Sequence, residues 1–442
     1  MRFLFLLFDF AVICGFSNIL LLYTDTALPL FIKIPVTVVL LICFVVVNVF
    51  PCVYKTITRR FGILAGGSDL LIVFLLSSLA DVLIYIRMFI KGYDLWQYIV
   101  YAVIAVIVCG TVFWNGILRV YITSGQLGVW LRVLGALFGM IPVLNIVFLL
   151  LIIRKTHKEA EYEIRHDEIE NARRGQNICK TKYPVLLVHG VFFRDRKLFN
   201  YWGRIPSALE LNGATIYYGK QQSALCVKDS AAELSARIKE IVAETGCEKL
   251  NIIAHSKGGL DSRYAVSQLD CGQYVASLTT VNTPHRGCIF VEKAYTGLSQ
   301  KAWHNVAEAY NAASRVRGDT NPDFLAAVGD LRESVCAEFN RTVPDREGVF
   351  YQSIGSATKS ARGGRFPMDI SYPFVKKMDG ENDGLVSVES MKWGENFRFI
   401  KVKGRRGVSH GDVIDLNREN IEGFDVREYF VQVVADLKNK GY

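Results

Sequence analysis

The sequence predicts an α/β domain with a mostly parallel central sheet, preceded by an all-α transmembrane region. Residues 1–153 are a series of apolar runs with few charges, each near the roughly 20 residues that a helix needs to cross a bilayer core. From Tyr183 onwards, short apolar strands alternate with amphipathic helices, as in a parallel sheet covered on both faces. The hydrophobic content of 51% exceeds that of an average soluble protein.

The apolar runs predict a multipass region of about five helices. They cover roughly residues 3–23, 28–50, 69–90, 97–118 and 131–153. A cleaved signal peptide is an alternative for the first run, but Asp9 interrupts that run and no small-x-small cleavage site follows it. Burial of all five in a large soluble core is a second alternative, which the lack of a polar stripe disfavours.

Loop charges give conflicting signals about orientation in the cell membrane. Lys55, Arg59 and Arg60 follow the second run and are expected in the cytoplasm, so five spans would place the C-terminal domain outside. The basic segment RKTHK directly after the fifth run favours the cytoplasmic side instead. We expect an integral membrane protein whose C-terminal domain lies on the outer side, with the inner side as the alternative.

A charged linker is expected between the two regions. Residues 154–180 mix both signs of charge and predict a solvated helical connector. The expected organisation is a transmembrane region at 1–153, this linker, and one α/β domain at 181–442. The net charge of +9 comes with no nucleic-acid-binding module, and the bilayer is the simpler partner. The ten cysteines form no C-x-x-C pair, and their disulfide state stays open.

The stretch LNIIAHSKGGLDSRYA, residues 250–265, has the order of a buried strand, a sharp turn and a helix. This order is typical of a nucleophile elbow, in which a serine hydroxyl projects from the tip of the turn. The positions two before and two after the serine must be small, and here they are Ala254 and Gly258. Ser256 is therefore the candidate nucleophile, and a strand that ends in a polar turn is the alternative.

A serine hydroxyl needs a base to accept its proton, and the base should follow the serine in this type of fold. Three histidines follow Ser256, at His285, His304 and His410. His285 comes early, directly after a strand, and His304 lies in an amphipathic stretch that predicts a helix surface. His410 lies in the flexible segment GVSHGD after a strand-like run, and it is the candidate base.

An acid and two oxyanion donors would complete the site. The segment DGENDGLVSV offers Asp379 and Asp383, and Asp383 is favoured because the apolar residues after it can pack behind its side chain. The alternative for NDG is an ordinary turn. The amide of Lys257, directly after the serine, and the amide of Val191, at the end of the first strand, are the candidate oxyanion donors.

Six motifs occur in the order and approximate spacing seen in bacterial triacylglycerol lipases of the α/β-hydrolase fold. They are VLLVHGVF, NYWGRIPSALELNGATIYYG, AHSKGGLDSRYA, LTTVNTPHRG, ENDGLVSV and SHGDVIDL. The resemblance covers most of residues 183–425 and none of the apolar region. It implies the roles already inferred for Ser256, Asp383, His410, Val191 and Lys257.

The resemblance also implies a structural calcium ion and a lid. Lipases of this family tend to hold calcium with an aspartate two residues after the base, which Asp412 matches, and Asp369 is the candidate second ligand; the alternative is that Asp412 caps the next helix. The chemistry itself implies no cofactor. The lid is expected between 288 and 331, where apolar residues follow a helical spacing that also suits core packing: Tyr295, Leu298, Trp303, Val306 and Tyr310.

We therefore expect a membrane-anchored serine lipase or esterase that hydrolyses carboxylic esters of lipids, of the triacylglycerol type, through an acyl-enzyme. One alternative keeps the same three residues and changes the substrate, giving a phospholipase, a lysophospholipase or an acyl-protein esterase. Another is a catalytically silent hydrolase domain that serves as a membrane-tethered binding module. The expected partners are a lipid or acyl-ester substrate and the bilayer, with no nucleic acid.

Overall fold

The computed structural model of the chain describes residues 2–51, 58–191, 200–297, 300–316, 318–365, 368–394 and 396–442. Its internal contacts divide the chain into two compact units, Met1–Arg173 and Arg174–Tyr442. The division falls inside the segment for which the sequence predicts a linker, 154–180. Among the described residues the first unit is helical, and the second combines helices with a single sheet.

The first unit contains seven α-helices within its described residues. They are α1 Arg2–Ser17, α2 Leu20–Thr24, α3 Leu30–Val49, α4 Arg59–Ile90, α5 Leu95–Thr123, α6 Gly128–Leu137 and α7 Leu144–Ala172. By length and composition, α3, α4 and α5 can cross a membrane. They correspond to the second, third and fourth apolar runs. Within the described residues, three of the five expected spanning helices thus have the required length and composition, and the count of five stays a prediction.

The first apolar run is divided at its centre. Helix α1 ends at Ser17 after 16 residues, and α2 adds only a short second piece. Asn18 donates from its side chain to the carbonyl oxygen of Cys14 at 3.0 Å, and the Ser17 hydroxyl donates to Asp81 at 2.9 Å. Polar side chains that bond to nearby backbone groups compete with continuation of a helix, which accounts for the break.

The fifth apolar run is also divided. Helix α6 passes into a 3₁₀ turn at Phe138–Met140, and α7 begins at Leu144. Pro142 stands between them, and the residue before a proline is disfavoured in the α conformation. Because α7 becomes charged from Arg154 onwards, neither piece supplies a continuous apolar helix of spanning length.

The charged segment that follows continues α7 and is buried along one face. Glu159 is 4% exposed and accepts hydrogen bonds from the Ser124 hydroxyl and from the amides of Gly125, at 2.7 Å, and Gln126, at 3.2 Å. These amides lie in the turn between α5 and α6. The segment expected to be a solvated connector thus has one buried face, on which the Glu159 carboxylate is the acceptor for the turn before α6.

The second unit is built on six strands that pair only in parallel, in the order β2-β1-β3-β4-β5-β6. The strands are β1 Val185–Val188, β2 Ile216–Tyr218, β3 Leu250–His255, β4 Val275–Val281, β5 Phe350–Gly355 and β6 Phe397–Phe399. The predicted parallel sheet is thus confirmed. None of the cysteines in the described ranges takes part in a disulfide.

Helices cover both faces of this sheet. They are α8 Ile205–Leu211, α9 Val227–Thr245, α10 Lys257–Gln268, α11 Ile289–Gly297, α12 Gln300–Val316, α13 Phe324–Gly329, α14 Glu333–Thr342, α15 Met368–Asp379, α16 Val388–Met391 and α17 Val426–Asn439. Successive strand side chains enter different cores: Leu187 packs with Trp202 and Phe430, whereas Leu186 packs with Leu234 of α9. With both faces covered, β1, β3 and β4 are buried throughout, and the carboxyl ends of these parallel strands meet at one edge.

Replacing Glu159 with alanine is expected to destabilise the first unit. The variant removes the acceptor of the buried Ser124 hydroxyl and of two partly exposed amides, which should cost about 1–3 kcal/mol. The apparent unfolding temperature of the full chain in detergent measures this loss. Glu168→Ala, at an exposed position on the same helix, is the matched control. Equal unfolding temperatures for the two variants would contradict the assigned role of Glu159.

Candidate active site

The strand, turn and helix of the elbow lie where the sequence predicts them. Ser256 stands between β3 and α10 with φ 54° and ψ −132°, a strained conformation for a residue with a side chain. Its amide donates to the carbonyl of Val281 at 2.9 Å. Gly258 must lack a side chain, because a Cβ there would lie 2.3 Å from the carbonyl oxygen of His189. Ala254, in place of the usual first glycine, packs its methyl group in the core.

The three predicted side chains come together in one hydrogen-bonded row. His410 Nε2 lies 2.9 Å from Ser256 Oγ, and His410 Nδ1 lies 2.6 Å from Asp383 Oδ2. Because the carboxylate can only accept, Nδ1 carries the proton and Nε2 is left to accept from the serine. This arrangement can activate the hydroxyl for attack on a carbonyl carbon.

The carboxylate of Asp383 is fully buried and held from several sides. It accepts from the amides of Leu385 and Val386 at 2.9 and 2.8 Å, and from the Asn282 side chain at 2.7 Å. Asn282 follows β4 in the motif NTPHRG, and its contribution could not be inferred from the sequence. The alternative acid, Asp379, is the last residue of α15. The structure therefore brings Asp383, and not Asp379, to the histidine.

The two predicted oxyanion donors flank the nucleophile. Lys257 is the first residue of α10, so the helix contains no acceptor for its amide, and the helix dipole favours negative charge there. Val191 is buried after β1. Its neighbour Gly190 lies so close to the elbow that a Cβ would come within 2.8 Å of Ser256 Cβ. The donor roles of both amides stay predictions.

The side chain of Lys257 fixes the first turn of α10 through two buried contacts. Its ammonium group donates to Asp261 at 2.7 Å and to the Ser230 hydroxyl at 2.8 Å, and both charged side chains are buried. Burial raises the pKa of Asp261 to about 7, and the ammonium group of Lys257 opposes that rise. The backbone that carries the candidate oxyanion amide is thus fixed by a buried ion pair.

Two further residues beside the site escaped the sequence analysis. The Tyr201 hydroxyl accepts from the Gly190 amide at 3.1 Å and is hydrogen-bonded to His255 Nδ1 at 2.7 Å. The His255 ring packs on the His410 ring with 4.5 Å between centroids. Burial and repulsion from His410 hold the pKa of His255 well below its usual range, so His255 stays neutral beside the candidate base.

The other two histidine candidates lie away from this row. His285 is buried, stacks on Trp393 with 4.9 Å between ring centroids, and lies 2.9 Å from the Thr280 hydroxyl. His304 is exposed on α12, where it pairs with Glu308 at 3.2 Å. These contacts give both histidines a structural role.

The residues around Asp412 do not fit a calcium ion. Asp412 accepts from Arg406 Nη2 at 2.9 Å and from the Ser409 hydroxyl at 2.7 Å, and Arg406 also pairs with Glu419 at 2.7 Å. Calcium takes six to eight oxygen ligands, whereas here a guanidinium group already supplies the positive charge. Asp369 accepts from the amide of Ile370 at the start of α15. Within the described ranges, no group of three or more His, Cys, Asp or Glu side chains is placed to hold a metal ion.

The predicted lid stripe lies mainly on α12. Trp303 and Tyr310 pack against Phe324 of α13 in a small cluster of their own, which matches the core-packing alternative. Val306 and Tyr295 are exposed. Leu298, the remaining residue of the stripe, lies outside the described residues.

Comparisons with known proteins identify close relatives. No protein-family model matches the chain. The triacylglycerol lipase of Pseudarthrobacter phenanthrenivorans is 35% identical over 54% of this chain and 96% of its own length. That of Burkholderia plantarii is 35% identical over 54% of this chain and 85% of its own length. Among solved structures, a Bacillus licheniformis lipase matches at 21% identity with a TM-score of 0.43, over 57% of this chain and 92% of that chain.

Removing the ammonium group beside Asp261 should steepen the dependence of stability on pH. The folded-state pKa of Asp261, about 7, lies above its ordinary value of 3.8, so folding favours the protonated acid and stability falls as pH rises through this interval. In Lys257→Met that pKa rises further, so the loss continues to higher pH than in the wild-type chain, at about 1.4 kcal/mol per pKa unit. The unfolding temperatures of the variant and of the wild-type chain at about pH 6 and 9 measure this loss of stability. Lys228→Met, at an exposed position, is the control, and parallel pH curves would contradict the coupling.

The arginine beside Asp412 is expected to make the histidine loop independent of calcium. Chelator or added calcium should shift the apparent unfolding temperature by less than about 2 °C. Arg406→Ala leaves the buried Asp412 carboxylate without its cation and should cost about 3 kcal/mol, while Arg405→Ala at the exposed neighbouring position should cost little. A stabilisation of the wild-type chain by calcium of several degrees would contradict this assignment.

Proposed function

The chain belongs to the triacylglycerol lipase family, and we propose that it is a membrane-anchored serine lipase in which Ser256, His410 and Asp383 form the catalytic triad. That it is a carboxylic ester hydrolase acting on lipid esters follows from the family. The observation that carries the finer proposal is the unbroken row of hydrogen bonds from Ser256 Oγ through His410 to Asp383. Esters of the triacylglycerol type are the proposed substrates, since the curated relatives bear that name.

The first half of the reaction transfers the acyl group to the serine. As Ser256 Oγ attacks the ester carbonyl carbon, His410 Nε2 takes its proton, and Asp383 stabilises the imidazolium that forms. The carbonyl oxygen becomes an oxyanion, which the amides of Lys257 and Val191 would hold. When the intermediate collapses, His410 gives its proton to the alkoxide oxygen, and the alcohol leaves.

Water completes the cycle through the same groups. His410 takes a proton from a water molecule, whose oxygen attacks the acyl carbon, and the second oxyanion is held at the same two amides. Collapse returns the proton to Ser256 and releases the fatty acid. The neutral state of His255 supports this role for His410, because a charged ring at 4.5 Å would oppose formation of the imidazolium.

The three long apolar helices support membrane anchoring. A bilayer anchor holds a hydrolase where water-insoluble esters are concentrated and thereby raises the rate of encounter without a new contact at the site. The anchor is proposed to consist of α3, α4 and α5, since these helices have the required length and composition.

Contacts inside the first unit support the cytoplasmic side for the hydrolase. Arg60, at the start of α4, donates to the carbonyl of Thr123 at the end of α5, and the Thr58 amide donates to Asp167 of α7. The basic start of α4, with Arg59 and Arg60, and the charged part of α7 therefore lie at the same end of this unit. Positive loop charge favours the cytoplasm at that end. The outer-side expectation counted the fifth run as a crossing. With α3, α4 and α5 as the proposed crossings, the chain after α5 returns to the side of the basic segment before α4.

Ser256→Ala is expected to abolish hydrolysis of p-nitrophenyl esters and of triacylglycerol, by at least about a thousandfold, because no other group can form the acyl-enzyme. Labelling by a fluorophosphonate should be lost with it. Ser267→Ala, on the same helix and away from the row, is the control. Retained labelling in Ser256→Ala, or none in the folded wild-type chain, would contradict the triad; the second result would favour a silent binding module.

A fluorophosphonate also tests sidedness, and fatty-acid release tests the substrate. A membrane-impermeant fluorophosphonate should label the wild-type chain only after intact cells are opened, and labelling of intact cells would place the hydrolase outside. Comparison of fatty-acid release from triacylglycerol and from phospholipid vesicles then distinguishes a lipase from a phospholipase.

A further inference from the structure

Helix α15 forms part of the wall around the acid and the base. Its Ser371 hydroxyl donates to the carbonyl of Gly384, the residue directly after Asp383. Met368, at the start of the helix, lies against Gly384 and Gly411, where added Cβ atoms would come within 2.8 and 3.5 Å of its atoms. Gly411 directly follows His410. The inner face of α15 is therefore fixed to the two loops that carry the candidate catalytic side chains.

The outer face of α15 is apolar and exposed. Ile370, Phe374 and Met378 are 54%, 55% and 41% exposed. Their spacing of four residues places them in one stripe along the helix. Buried Met368, Ser371 and Val375 define the opposite face. Three large apolar side chains in a row, each about half exposed, form a contiguous patch of the kind that marks an interaction site.

Positive charge borders this stripe. Lys376 and Lys377 are exposed in the last turn of α15, and Lys377, seven residues after Ile370, lies on nearly the same side of the helix. Helix α11 packs against α15 and adds exposed Lys293 and Tyr295. Lysines in a last turn also interact favourably with the helix dipole, but that role needs no apolar stripe beside them. An apolar face bordered by lysines is typical of helices that lie in the headgroup region of anionic membranes.

We propose that the outer face of α15 docks on a lipid surface that carries anionic headgroups and so presents ester lipids to Ser256. The inference rests on the proposed function, because it describes how that site obtains its substrate. Ile370, Phe374 and Met378 enter the boundary between headgroups and acyl chains, and Lys376 and Lys377 stay at headgroup level. Since α15 is fixed beside Asp383 and His410, docking brings the lipid surface to the wall of the site.

A photoreactive side chain tests the contact without any need for activity. Benzoylphenylalanine replaces Phe374 in the full-length Ser256→Ala chain, held in nanodiscs of phosphatidylcholine and phosphatidylglycerol. After irradiation, mass spectrometry should find phospholipid adducts, severalfold more than with the same residue in place of Leu211, which is 65% exposed on α8. Equal yields at the two positions would overturn the proposal. Adducts to a second copy or to residues 1–173 would also overturn it, because another occupant would then cover the stripe.

A charge-reversal variant tests the role of the lysines with the same measurement of lipid adducts. Lys376→Glu with Lys377→Glu should lower the adduct yield at position 374 by about fivefold or more in the anionic discs, and much less in discs of phosphatidylcholine alone. An equal fall in both kinds of disc would show that the lysines do not recognise anionic headgroups, and that part of the proposal would be overturned.

A kinetic comparison connects docking to turnover. The triple variant Ile370→Ser, Phe374→Ser, Met378→Ser should lower the ratio of hydrolysis of a bilayer-embedded ester to hydrolysis of p-nitrophenyl acetate by at least about tenfold. Leu211→Ser should leave this ratio unchanged. An unchanged ratio in the triple variant would overturn the proposal. Absence of hydrolysis in the wild-type chain would count against the proposed function instead, and the crosslinking result would still decide the docking.

Discussion

The backbone at Ser256 is held at positive φ between β3 and α10, and the geometry of the site depends on it. Such a conformation costs on the order of 1–3 kcal/mol and persists only where its surroundings fix it. The bond from its amide to Val281 ties the turn to β4, and the buried ion pair of Lys257 with Asp261 ties the start of α10 to α9 through Ser230. The strained turn is therefore held from both of its ends.

Local chemistry made much of the site predictable. An elbow requires small residues at fixed positions and a strand and helix on either side of the serine, and all of these are visible within sixteen residues. His410 and Asp383 were found because the fold limits the order of their types along the chain and few candidates remained. Their roles stay predictions, but in the structure His410 is hydrogen-bonded to Ser256 and Asp383 is hydrogen-bonded to His410.

The sequence could not reveal contacts that depend on the three-dimensional course of loops. Asn282, Tyr201 and His255 support the row from separate segments, and none of them stands in a pattern that implies its partner. Hydropathy likewise could not show that Asn18 would bond back to its own helix and divide an apolar run. Arg406 is the clearest case, because only the loop conformation decides that it, and not a metal ion, faces Asp412.

A covalently attached cation differs from a bound ion in one respect that matters to the cell. Occupancy of a calcium site follows the free calcium concentration, whereas the Arg406 guanidinium accompanies every copy of the chain at fixed stoichiometry. We therefore expect the loop that carries His410 to be held in place without calcium. A hydrolase built in this way can operate where free calcium is scarce, and fluctuations in that ion would not change its output.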